Sequence, residues 1–162
     1  MKKILITGAN GQIGTELTTY LRGQYGTDNV IASDIAPHSD EKMAQSGPFE
    51  ILNVLDAKGM ADACKKYGVN QIIHLAALLS ATAEKNPQLA YDINMNGTYN
   101  VLEIAREQGI AVFTPSSIAA FGPSTPADHT PQDTVQRPTT MYGVTKVAGE
   151  LLCDYYFKRF GV

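Results

Sequence analysis

The chain lacks tryptophan altogether and has only two cysteines, Cys64 and Cys153, in 162 residues. Two cysteines so far apart give neither a metal-binding spacing nor a disulfide framework. They read as small buried side chains in a protein of a reducing compartment. A dominant charge is also missing. Thirteen Lys and Arg stand against 16 Asp and Glu, a formal net charge of −3 with no basic run, so a nucleic-acid partner is not expected. Nor is there a long hydrophobic run. The most apolar stretch, residues 72–79, is broken by His74 and falls far short of the ~20 residues that a bilayer span needs. The apolar run behind Met1, Lys2 and Lys3 ends at Ile6, where Thr7 and Gly8 follow. No secretory leader is therefore expected, and a cytoplasmic location fits. His38 and His129 lie in loop stretches, and no metal site is expected.

What is present is a globular composition, 44 % apolar, in a length that suits one domain. Short apolar runs at 3–7, 30–33, 50–52, 71–75 and 111–115 read as strands. Helical spacing marks 12–23, where Ile13, Leu17, Tyr20 and Leu21 share a face and Gly23 supplies the stop. It also marks Ala57–Tyr67, 87–109 and 139–160. Residues 36–48 and the four-proline segment 122–138 read as loops. Strands that alternate with helices, each strand a near-continuous apolar run, imply an α/β fold. The expectation is a Rossmann-like, doubly wound parallel sheet ordered 3-2-1-4-5. Gly161 after the last helix leads one to expect a further strand beyond Val162.

Gly8, Gly11 and Gly14 form G-x-x-G-x-x-G where the first strand turns into the first helix. Glycines there permit a tight turn and let the backbone approach a pyrophosphate. The helix N-terminus offers that anion unpaired N–H groups and a partial positive charge. Asp34 closes the second strand, twenty positions after Gly14. A carboxylate at that point accepts from both hydroxyls of an adenosine ribose and repels a 2′-phosphate, which favours NAD over NADP.

Tyr142 and Lys146 form Y-x-x-x-K, the i, i+4 spacing that puts both side chains on one helical face. A free phenol has a pKa of about 10 and is a poor base at neutral pH; a nearby ammonium stabilises the phenolate. The pair suits removal of a proton from an alcohol whose carbon is being oxidised. Ser116 and Ser117 follow the fifth strand. The carboxyl end of a parallel strand is where ligands bind in such sheets, and a hydroxyl there can bond the reacting oxygen. His74, inside an apolar strand, reads as a satisfied core histidine rather than a catalyst.

Together these residues resemble the extended short-chain dehydrogenase/reductase (NAD-dependent epimerase/dehydratase) superfamily. Several stretches are most similar to the short-chain-type L-threonine 3-dehydrogenases: His74-Leu75-Ala76-Ala77-Leu78-Leu79-Ser80, Asn94-Met95-Asn96-Gly97-Thr98, Pro115-Ser116-Ser117-Ile118-Ala119-Ala120-Phe121-Gly122-Pro123, and Tyr142 with Lys146. The resemblance covers the whole chain and makes 1–162 an NAD-binding Rossmann domain, the N-terminal half of such proteins without their C-terminal substrate-binding part.

The resemblance implies site residues as follows. Gly8, Gly11 and Gly14, with the backbone at Gln12 and Ile13, hold the pyrophosphate. Asp34 and Ile35 meet the adenosine ribose, and Asn53 and Val54 flank the adenine. Leu75, Ala76 and Ala77 line the cofactor channel, and Pro115 approaches the nicotinamide. Asn94 supports the cofactor or an active-site water network. Lys146 binds the nicotinamide ribose beside the catalytic Tyr142, Ser116 and Ser117. Ser80, Ser117 and Tyr142 contact substrate. Two departures stand out: Asn53 where many relatives have Asp, and Phe121 where many sugar epimerases have Tyr.

The expected reaction is NAD-dependent oxidation of L-threonine to 2-amino-3-oxobutanoate. Tyr142 takes the hydroxyl proton and hydride passes from Cβ to the nicotinamide. The alternatives are a nucleotide-sugar 4-epimerase or dehydratase of the same superfamily, and a non-catalytic NAD-binding module. A homodimer through the helices at 87–109 and 139–160 is a further implication.

Overall fold

A computed structural model describes residues 2–38 and 45–162 of the chain. Five strands form one parallel sheet: β1 (Ile4–Thr7), β2 (Val30–Asp34), β3 (Phe49–Ile51), β4 (Gln71–His74) and β5 (Ala111–Phe113). Their order is β3-β2-β1-β4-β5, as the alternation of strands and helices predicts. The helices are α1 (Gln12–Tyr25), α2 (Ala57–Tyr67), α3 (Ser80–Lys85), α4 (Pro87–Tyr91), α5 (Gly97–Gln108) and α6 (Met141–Phe160).

Successive strand residues face opposite sides of the sheet, and both sides are apolar. Leu5 is in register with Ile31 and Ile72, and this row packs with Met60 of α2 and with Val101 and Ile104 of α5. Ile4, Ile6, Val30, Ala32 and Ile73 turn to the opposite face, where α1 contributes Leu21. Full burial of side chains of this size contributes about 1.5–3 kcal/mol each. At the carboxyl ends the row changes character. Ser33, Thr7 and His74 stand side by side in register and are buried. The Ser33 hydroxyl donates to the Ile6 carbonyl at 3.0 Å, and Thr7 Oγ1 meets His74 Nδ1 at 2.8 Å. The apolar core thus ends in a polar rim, and the site lies above that rim.

Four expectations need correction. Gly23 does not stop α1, which runs on to Tyr25 and ends at Gly26, with φ +89. The buried stripe of α1 is Gly14, Thr18, Leu21 and Arg22, whereas Ile13 and Tyr20 are exposed. Arg22 goes inside because its guanidinium is satisfied there, by the Val30 carbonyl at 3.3 Å and the Pro48 carbonyl at 2.6 Å. The region 87–109 is not one regular helix: a π-helical turn at Asp92–Asn96 joins α4 to α5. Helix α3 has no counterpart in the sequence pattern, because among its six residues only Ala83 is buried, too few to set a period. The loop expected at 36–48 falls partly, at 39–44, outside the described residues. Cys64 is buried as expected, while Cys153 is only half-buried. Among the described residues no helix is long and apolar enough to cross a membrane.

Candidate active site

A crevice of about 450 Å³ runs along the carboxyl ends of β1, β2 and β4. Gly8, Gly11, Gln12, Ile13 and Gly14 form its floor. Gly8 has φ +73, and a Cβ on it would lie 2.7 Å from the Ala76 nitrogen. A Cβ on Gly14 would lie 2.3 Å from the Gly8 carbonyl oxygen and 2.7 Å from Ala9 Cα. The turn is therefore closed to side chains at two of its three glycines. Gly11 caps α1 with no side chain to take the first N–H groups of the helix. A bare helix start beside a cradle that any Cβ would fill is suited to a pyrophosphate. The residues present fit a dinucleotide.

Asp34 and Ile35 line the same crevice at the end of β2, and Asn53 and Val54 line it beyond β3. The Asp34 carboxylate is held on both oxygens: Oδ2 accepts from the Asn10 backbone N–H at 3.0 Å and Oδ1 from the Ile35 N–H at 2.8 Å. Asn53 Oδ1 accepts from the Leu55 N–H at 3.0 Å. That bond ties the carboxamide oxygen into its own turn and leaves the NH₂ group as the donor for a ligand. Val54 is buried under Gly97, where a Cβ would stand 2.8 Å from its Cγ2.

The far end of the crevice holds Leu75, Ala76, Ala77, Pro115, Ser116, Tyr142 and Lys146. Thr140 caps α6 by accepting from the Gly143 N–H at 3.0 Å. A Cβ on Gly143 would lie 2.2 Å from the Ala119 carbonyl oxygen, so the helix start sits directly on the turn Ile118–Ala120. Tyr142 is buried with Ala83 and Ala90. One turn on, the Lys146 ammonium donates to the Pro115 carbonyl at 2.8 Å and lies 5.5 Å from the Tyr142 ring centroid. Burial pushes the Lys146 ammonium below the ordinary lysine value.

The structure separates the two serines. Ser116 is in the crevice wall and its hydroxyl bonds Glu150 Oε1 of α6. Ser117 is not in that wall; its Oγ accepts from the Ala119 N–H at 3.2 Å and caps the turn. Ser80 is also outside the wall, exposed at the start of α3. Asn94, on the π-helical turn, sits beside a second cavity of about 330 Å³ that shares Ala76, Pro115 and Lys146 with the crevice. Its carboxamide closes a ring with the Leu78 N–H (2.8 Å) and carbonyl (3.1 Å) and donates to Thr145 Oγ1 at 3.1 Å. Asn94 thus braces the 75–79 wall against α6, with both of its N–H donors used inside the protein. Sequence reasoning missed Asn10 and Glu150. Neither stands in a pattern of its own, and each acts on a segment remote in sequence.

His74 also differs from expectation. Its Nδ1 is bonded to Thr7, but Nε2 is buried without a partner. Burial, with a smaller push from the Lys146 charge, brings its pKa from 6.5 down to about 4. The folded state therefore keeps His74 neutral, while an unfolded chain takes up a proton as pH falls through about 6.5. The stability tied to the neutral ring is complete above that pH and is lost as pH drops toward 4. Between pH 7 and pH 5 the full-length protein is expected to lose about 2 kcal/mol through this group. Urea unfolding at both pH values reads the loss, and His74→Gln should flatten it. An equal loss in the variant would remove His74 from the account.

A parallel sheet ordered 3-2-1-4-5, a glycine cradle under its carboxyl edge and a Tyr–Lys pair facing that cradle define a dinucleotide-binding α/β protein. Residues 4–162 match the NAD dependent epimerase/dehydratase family, and the chain belongs to that family. An uncharacterized epimerase/dehydratase of Staphylococcus aureus (strain COL) is 61 % identical over 162 residues, which are 100 % of this chain and 50 % of that protein. The structure of L-threonine dehydrogenase from Clostridium difficile superimposes with a TM-score of 0.97 at 60 % identity, covering 100 % of this chain and 51 % of that one. UDP-glucose 4-epimerase from Thermotoga maritima, at 23 % identity and a TM-score of 0.89 over 99 % of this chain and 52 % of that one, shares the fold. The chain spans about half the length of the curated relatives it matches.

Proposed function

We propose that the full-length protein oxidises the β-hydroxyl of L-threonine with NAD, giving 2-amino-3-oxobutanoate. The observation that carries this reading is the placement of Tyr142 and Lys146 on one face of α6, opening into the same crevice as the glycine cradle. The 60 % identity with the Clostridium difficile enzyme favours threonine among alcohols. Phe121 stands where, by the resemblance, many sugar epimerases have Tyr, which favours it slightly further.

In this reading the N–H groups of Gln12 and Ile13 and the backbone at Gly8, Gly11 and Gly14 hold the pyrophosphate. Asp34, with the Ile35 backbone beside it, accepts from the adenosine ribose. Asn53 and Val54 flank the adenine, and Leu75, Ala76, Ala77 and Pro115 form the channel. NAD, when bound, supplies the hydride acceptor. Tyr142, as phenolate, takes the proton from the substrate hydroxyl. Lys146, fixed by the Pro115 carbonyl, favours that phenolate by its charge and bonds the nicotinamide ribose. Ser116, already in the wall, bonds the reacting oxygen. Ser117, whose Oγ accepts from the Ala119 N–H, keeps its O–H as a donor for the same oxygen. Asn94 keeps the 75–79 wall in place. Ser80, exposed at the start of α3, contacts the substrate.

Full-length protein mixed with NAD and L-threonine should accumulate NADH, followed by its absorbance. No turnover of threonine together with interconversion of a UDP-sugar would transfer the assignment to the epimerases.

A further inference from the structure

The residue next to the middle glycine does something the glycine pattern does not require. Asn10 donates from Nδ2 to the Ala36 carbonyl at 2.9 Å and to the Pro37 carbonyl at 3.3 Å. Two carbonyl partners fix the orientation of the amide, since only NH₂ can face both. Its Oδ1 is left turned inward, buried and without a partner. The backbone N–H of the same residue donates to Asp34 Oδ2. Asn10 therefore holds both the carboxylate at the end of β2 and the strap of chain that follows it. His38, at the far end of the strap, lies against Thr15 of α1, Nε2 to Oγ1 at 3.4 Å.

We propose that Asn10 is a specificity-determining residue that keeps 2′-phosphorylated dinucleotides out of this crevice. The inference rests on the reading of the crevice as an NAD site. The physical argument concerns freedom to move. A 2′-phosphate brings a charge of about −1.5 to −2 next to the Asp34 carboxylate. It is tolerated only if the carboxylate rotates away or the strap swings outward to make room. The carboxylate cannot rotate cheaply, because each oxygen already accepts a backbone N–H. The strap cannot swing without breaking both Asn10 bonds. Residues 35–38 are Ile, Ala, Pro and His, so no Lys or Arg in the strap offers the phosphate a counter-charge. Ribose hydroxyls need none of this movement, since a carboxylate keeps free lone pairs after accepting two N–H groups.

The experiment compares binding of NAD and NADP to the full-length protein and to Asn10→Ala by titration calorimetry. Wild type should prefer NAD by at least about 100-fold, in the manner of a fixed carboxylate facing a phosphate. Asn10→Ala should lose at least about tenfold of that ratio, chiefly through tighter NADP binding. Loss of the fold around the turn would weaken both dinucleotides together; an unchanged ratio in a variant that still binds NAD as tightly as wild type overturns the proposal. Asn10→Ser keeps a single donor and should move the ratio the same way by less; it serves where the alanine variant does not fold. Wild type that binds both dinucleotides equally also overturns it. Wild type that binds neither removes the NAD reading itself, a different result from NAD binding with an indifferent Asn10.

Discussion

Tyr142→Phe in the full-length protein is expected to lower turnover of threonine by about 10²–10⁴-fold, the usual contribution of a positioned general base, while NAD binding stays within about threefold. The substitution removes one oxygen. The ring remains in its cluster with Ala83 and Ala90, so the start of α6 keeps its seat on the Ile118–Ala120 turn. Lys146 keeps its bond to the Pro115 carbonyl, so the wall that would hold the nicotinamide ribose is unchanged. The loss should therefore appear in kcat rather than in the dinucleotide titration. A variant with near-normal turnover would remove Tyr142 from the chemistry and favour the non-catalytic module. A variant that loses turnover and NAD affinity together would mean that the phenol serves the cofactor.

Gly8→Ala is expected to destabilise the protein by about 3 kcal/mol and to abolish measurable NAD binding. Two effects add. A left-handed backbone costs an L-residue about 1–2 kcal/mol, and Gly8 has φ +73. Overpacking costs about 1–3 kcal/mol more, because the new methyl would sit 2.7 Å from the Ala76 nitrogen and 2.8 Å from the Leu75 carbonyl carbon. Those are backbone atoms of the chain leaving β4, so relief comes only by parting the turn from the neighbouring strand, which spoils the cradle. Gly23→Ala is the control: nothing lies within 4 Å of its Cβ position, and in a helix interior the change should stabilise by about 0.5–1 kcal/mol. Thermal unfolding and NAD titration of both variants check this. A Gly8→Ala protein as stable as wild type and still binding NAD would show that the cradle is not what admits the pyrophosphate.

What the sequence alone determined was whatever depends on neighbours along the chain. The five strands were legible as apolar runs, most clearly the inner three, which are buried on both faces, while the outer strands keep Ile51 and Phe113 exposed; their order followed from the alternation with helices. The glycine spacing and the Tyr142–Lys146 pair were legible for the same reason, each being confined to a single turn or a single helical face. The tertiary structure decided what depends on partners far away in sequence. Ser116 faces the crevice while Ser117 caps a turn, because Glu150, 34 positions on from Ser116, receives its hydroxyl. Asn94 became a brace because Thr145 lies 51 positions away. His74 lost a partner for Nε2, and Asn10 became a clamp because the strap folds back onto it, 26 positions later. Local spacing sets which side chains share a face; a hydrogen bond needs its donor and acceptor within about 3 Å, and only the folded chain sets that distance between remote segments.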